Sequence, residues 1–276
     1  MVFRFKTLIT LIFGFIVSFT GNCAEVEEPA SDSKPIVKRV SDAKKEDIKR
    51  PVIIEDLAYG NILFDYYRGE PIKALNGILV AEKKAGLPNH SQSARLLSGV
   101  IYLDLGMLTY AQQIFNALLT EEDLKTGLFS KIEFYLGKLH YRQGDFKQAE
   151  FRLSRIVNTL EVELKDECLI MLSNLALYLN DKDKAKDWLA KISEDSKLAS
   201  VSRFNLGILW LREGNLLQAE AQLTNIHPTY TDDKVIISLQ DKATVALGFY
   251  HLSHKAFEKA RLYLQQVRLT SPSSNK

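Results

Sequence analysis

From about Ile54 onward, apolar residues return every three or four positions, and the runs are broken only briefly. That spacing gathers the apolar side chains on one face of a 3.6-residue helix. No stretch between turn signals alternates apolar and polar residues at period two, so strands are not expected and the fold class is all-α. The breaks fall at Gly69-Glu70, Gly106-Met107, Gly144-Asp145, Asn180-Asp181 and Gly214-Asn215. A helix end that turns back on itself needs a residue in the left-handed conformation, which glycine and asparagine adopt most readily.

A longer period overlies the helical one. Ala111, Ala149, Ala185, Ala219 and Ala260 share one phase, with a weaker copy one step earlier at Ala74. The steps are of the size, roughly 34 to 41 residues, at which helical repeats return. Self-similarity at this period predicts stacked helical pairs, because one pair cannot bury its own apolar face and leans on its neighbours. Two helices in each of about six units gives roughly twelve helices.

The units resemble tetratricopeptide repeats. That family places a small residue in its first helix, glycine at the turn, alanine in the second helix, then an aromatic or leucine and another apolar residue. The third unit reads Leu136-Gly137, Gly144, Ala149, Leu153 and Ile156, and the fifth reads Leu206-Gly207, Gly214, Ala219, Leu223 and Ile226. The fourth has Ser173 in place of the glycine, and in the sixth Lys255 stands at the turn. In the first, which keeps Gly69, Ala74, Ile78 and Ala81, the leading helix is slightly out of step. The resemblance spans roughly Leu57 to Pro272 and implies a right-handed solenoid of helical hairpins over 54–272, ending without a capping helix.

The resemblance also implies where a partner would bind. In such repeats the first helices line a concave face, here carrying Phe134, Tyr135, Lys138 and Tyr141 from the third unit and Asn174 and Tyr178 from the fourth. The fifth contributes Phe204, Asn205, Ile208 and Arg212. A mainly apolar and aromatic lining edged by a few polar groups suits a protein or peptide segment with apolar anchors. Some family members grip a C-terminal carboxylate through asparagines and cations. Asn174 and Asn205 match two of those places, but Ile170, Ala243 and Ala246 stand where cations would be required, so that mode is not expected.

Charge narrows the partners further. The chain carries 36 Lys and Arg against 34 Asp and Glu. Without Arg4 and Lys6, which lie in an expected signal peptide over 1–24, the basic residues fall to 34 and equal the acidic ones. A chain near neutrality lacks the footprint of a nucleic-acid binder. The signal consists of that basic start, an apolar run over Leu8–Phe19 and the small-residue stretch before Ala24. The run is too short to span a bilayer, which takes about 20 residues. Export to the periplasm is therefore the expectation, with lipidation of Cys23 or an uncleaved signal as the routes to membrane association. Residues 25–53 are polar and charged, with Pro29 and Pro35, and read as a flexible linker; residues 273–276 form a tail.

Chemistry is hard to find. Cys23 and Cys168 are the two cysteines, too few for a disulfide framework. His251 and His254 lie three apart on one helix without a carboxylate or cysteine at ligand spacing. Glu121-Glu122, after Thr120, reads as a helix start. There is no phosphate-cradling glycine loop and no nucleophile elbow. No catalytic residue, cofactor or metal is expected. The expected role is a non-enzymatic interaction scaffold of the cell envelope. An assembly factor for outer-membrane or surface-polymer export, and a regulatory fragment of a longer protein, are the alternatives. Self-association through the uncapped C-terminal end is a further expectation.

Overall fold

The computed structural model describes residues 54–125, 127–226 and 234–267. The signal peptide, almost all of the linker, Cys23 and the C-terminal tail with its expected lack of a cap lie outside them. Twelve helices occur among the described residues: α1 (Leu57–Tyr67), α2 (Pro71–Lys83), α3 (Ser91–Asp104), α4 (Leu108–Leu119), α5 (Leu128–Gln143), α6 (Phe146–Ile156), α7 (Val162–Tyr178), α8 (Lys182–Ala190), α9 (Ala199–Arg212), α10 (Leu216–Leu223), α11 (Lys234–Ser253) and α12 (Phe257–Leu264). No strand occurs among the described residues. The helices pair in chain order as the hairpins of a tetratricopeptide-like solenoid. The chain divides into two compact units, the boundary falling between Tyr135 and Leu136 within α5.

The hairpin turns share a left-handed residue, and three of them also carry a side-chain cap. Gly69, Gly106, Gly144 and Gly214 take φ between 77° and 80°, Asn180 takes 63° and Lys255 takes 61°. The following residue then starts the second helix. Asp145, Asp181 and Asn215 accept hydrogen bonds from the backbone N–H of Gln148, Lys184 and Gln218 at 3.3, 3.0 and 3.2 Å. Two residues thus end one helix and satisfy a free donor of the next.

A small residue in each first helix faces a bulky one in the second. A Cβ placed on Gly99 would lie 2.4 Å from the Phe115 ring, on Gly137 2.6 Å from Leu153, on Gly207 2.4 Å from Leu223 and on Gly248 2.7 Å from Leu264. The separation along the chain is the same in every pair, and Ser173, buried like these glycines, stands at that same separation before Leu189. The first hairpin inverts the arrangement. Ile62 stands in the small residue's place, and Gly77 opens the second helix to receive it, with a Cβ there 3.0 Å from Ile62. That exchange is the physical content of the first unit's shifted phase.

In the unit of residues 54–135, Ile62, Ala74, Ile78, Ala81, Ala94 and Ile101 join one buried cluster. In the unit of residues 136–267, the core runs through α7, α9 and α11, with Leu172, Leu175, Leu209 and Leu247 fully buried. The loops between hairpins are held by residues near the starts of first helices. The Asp56 carboxylate accepts from the backbone N–H of Asn89 and of His90, both at 2.9 Å, from the Asn89 side chain at 3.1 Å, and meets His90 Nδ1 at 2.9 Å. Gln92 reaches Asp123 O at 3.0 Å, Ser196 donates to Asp166 at 2.5 Å, and Arg203 donates to Asn225 O at 3.0 Å. Glu121-Glu122 corrects an expectation. The pair follows the end of α4 instead of starting a helix, and Glu121 is held by Arg95 and Gln92.

Candidate functional site

The residues expected to meet a partner separate by burial. Phe134, Phe204, Asn205 and Ile208 are buried. The three apolar ones therefore serve packing within their units rather than an open surface. Tyr135 is half-buried, stacked on Phe115 at 5.9 Å between ring centroids and edge-on to Phe134 at 5.2 Å. Lys138, Tyr141 and Asn174 are half-buried as well, while Tyr178 and Arg212 are exposed.

Within the unit of residues 136–267 the structure brings several of these together. Lys138 on α5 donates to Glu167 on α7 at 2.8 Å. At the turn ends of the helices, Tyr141 leans on Phe146 at 5.6 Å and Phe146 on Tyr178 at 4.2 Å, a run of three rings from three helices. Beyond it, Lys186 Nζ sits 4.3 Å from the Trp210 ring and pairs with Glu213 and Asp183, both at 2.9 Å. The hydrogen bond that Lys186 donates to Asp183, then the one to Glu213, holds its ammonium above its usual range, against burial, which lowers it. Phe146, Lys186 and Trp210 were not among the expected residues. Phe146 and Lys186 lie on second helices, and only packing across hairpins brings them to this edge.

Asn205 is the unusual polar group. It is 1% exposed, and neither its carboxamide oxygen nor its nitrogen has a hydrogen-bond partner among the described residues. On α7, Ser173 Oγ and Asn174 Oδ1 are in the same condition. Buried polar atoms nearly always find a partner, so three such side chains on the first helices of successive hairpins require an explanation.

The histidine pair divides. His251 is buried, stacked on Tyr263 at 5.4 Å with Nε2 3.4 Å from Glu220, whereas His254 is exposed and its Nδ1 meets Tyr250 O at 2.8 Å. Among the described residues no three His, Cys, Asp or Glu side chains gather as a metal site would require. Cys168 is fully buried; burial first and the neighbouring Glu167 second push its thiol up to about 12, so it behaves as a small apolar side chain.

Helical hairpins locked by small-on-large contacts define a tetratricopeptide-like helical-hairpin fold. Stacked helical pairs of this kind build extended surfaces. Among solved structures the chain is similar to a tetratricopeptide repeat protein from Parabacteroides merdae ATCC 43184, with 16% identity over 76% of this chain and 92% of that one and a TM-score of 0.47. The fold assignment rests on the hairpins themselves. No family model matches the chain, and no curated protein matches it.

Proposed function

We propose that the protein is a non-enzymatic scaffold of the bacterial cell envelope that holds a segment of a partner protein along the first helices of its hairpins. The observation that carries this reading is the run of rings Tyr141, Phe146 and Tyr178 from three helices, which ends on the exposed Tyr178. Aromatic rings with one open face suit the apolar anchor of a bound segment, and Arg212, exposed on α9, offers positive charge. The envelope location rests on the signal-like residues 1–24.

A photo-crosslinking residue placed at Tyr178 in living cells tests the reading, with Phe151, exposed on the second helix α6, as the control position. The expected result is a discrete crosslinked protein from position 178 and none from 151. Tyr141→Ala should weaken that crosslink while lowering the melting temperature little, since Tyr141 is only half-buried. Equal crosslinking from both positions, or a Tyr141→Ala protein that crosslinks fully, would overturn it.

A further inference from the structure

The exposed side of α1 carries apolar side chains at two places that later first helices bury. Five residues before the small residue stand Ala94, Ile132, Cys168, Ser202 and Ala243, all buried, and two after it Ile101, Leu139, Leu175 and Leu209 are buried as well. Counted from Ile62, these places are Leu57 and Phe64, which are 82% and 60% exposed. Between them stands Asn61, exposed where Leu136, Leu172 and Leu247 are buried. At 3.6 residues per turn, Leu57, Asn61, Phe64 and Arg68 fall within about 60° of one another and make a single stripe.

An asparagine in the place of leucine changes what can cover the stripe. A leucine there accepts any apolar neighbour, whereas the Asn61 carboxamide, with a donor and an acceptor edge, needs a polar partner once water is excluded. The stripe supplies that partner itself, because it is complementary to its own reverse. Leu57 stands four residues before Asn61 and Phe64 three after; Glu55, which is exposed, stands six before and Arg68 seven after. The Arg68 guanidinium lies over the Phe64 ring at 5.3 Å and 3.5 Å from Glu70, and more than half of the side chain remains exposed. The stripe is thus acidic at its start, apolar about an amide at its middle and basic at its end.

We propose that a second copy of this chain occupies the stripe, its α1 running antiparallel to the first about a two-fold axis through Asn61. The two Asn61 carboxamides hydrogen-bond across the axis, each Leu57 packs on the other copy's Phe64, and each Arg68 lies beside the other copy's Glu55. One register makes all three matches, which differ in chemistry, and the two-fold axis repeats the outer two. An asparagine within an apolar seam fixes the register, which apolar contacts alone would let slide. A parallel pairing would instead set Arg68 against Arg68 and Glu55 against Glu55, and like charges across a contact are unfavourable. Each copy contributes one helix to the seam, so the dimer is small in contact and exchanges with concentration.

Sedimentation of the full chain at rising concentration tests the pairing. The parent should pass from monomer to dimer. Glu55→Arg and Arg68→Glu should each weaken association about tenfold, and the double variant should restore it, because reversing both charges rebuilds the pair. Restoration also separates the contact from a local disturbance of α1. In a Cys23→Ser background, with Cys168 buried, Asn61→Cys should give a bridged dimer under mild oxidation. Tyr67→Cys should not, since the two copies of position 67 lie about 18 Å apart along the pair and bridging needs Cα atoms within about 7 Å. A chain that stays monomeric, a double variant no better than the single ones, or equal bridging from positions 61 and 67 overturns the proposal.

Discussion

Glycine in the first helices serves close approach, and its conformational freedom is not what is used there. Gly137, Gly207 and Gly248 are helical, and each faces a leucine side chain of the second helix at a distance no Cβ could share. Gly207→Ala would press a methyl group to within 2.4 Å of Leu223, which must shift together with its neighbours. The expected cost is about 1–3 kcal/mol, read as a lower midpoint in denaturant with an unchanged slope. A midpoint equal to that of the parent would mean that Leu223 yields freely. The alanine phase and most of the small residues were legible in the sequence because their spacing repeats. Asn205 was legible only as a polar residue on a first helix. Its isolation depends on which side chains close over it, and no spacing encodes that.

At the scale of the element, the chain separates turning from docking. The turns need φ > 0, and three of them add a capping oxygen from the next residue, so sequence alone located them, even where Lys255 replaces glycine. The ties between hairpins are different, for their partners lie 22 to 34 positions apart along the chain. Asp56 is the strongest case. It stands at the start of α1 yet spends its carboxylate on the loop before α3. Burial raises its pKa, but the hydrogen bonds from His90 and Asn89 outweigh that and hold it below the usual carboxylate value. A carboxyl depressed in the folded state adds stability that is complete above its unfolded pKa of about 4 and fades as pH falls through the lower folded value. The hairpins of residues 54–119 should therefore loosen in acid below about pH 4. Asp56→Asn should lower stability at neutral pH and flatten that acid response. Melting curves at stepped pH check both, and parallel pH profiles for the two proteins would deny Asp56 the role.

At the scale of the whole molecule, a stack of hairpins has no single centre, and protection should follow how deeply each helix is buried. In the unit of residues 136–267, α7 contributes nine buried residues and α12 only Ala260. Amide hydrogen exchange should therefore be slowest in α7 and α9 and fastest in α12. Uniform protection across all of these helices would instead indicate one cooperative block. The same logic explains why function was less legible than fold. The repeat dictates how a hairpin meets its neighbour, so the residues free to meet something else are those the repeat leaves unspecified. Tyr178 and Arg212 are exposed, whereas Phe134, Phe204 and Ile208 are buried, because an aromatic or aliphatic side chain on a first helix serves a neighbouring helix before it serves a partner.

By itself the sequence determined the helices, their turns and their pairing into hairpins. Those depend on contacts made within one hairpin, and the small residue, the glycine and the alanine recur at that short range. Only the tertiary structure decided which polar groups lost their partners, which carboxylate ties which loop, and that Ile62 and Gly77 exchange sizes in the first hairpin. These depend on how side chains from separate helices close on one another, where volume and hydrogen-bond geometry act together and local spacing says nothing.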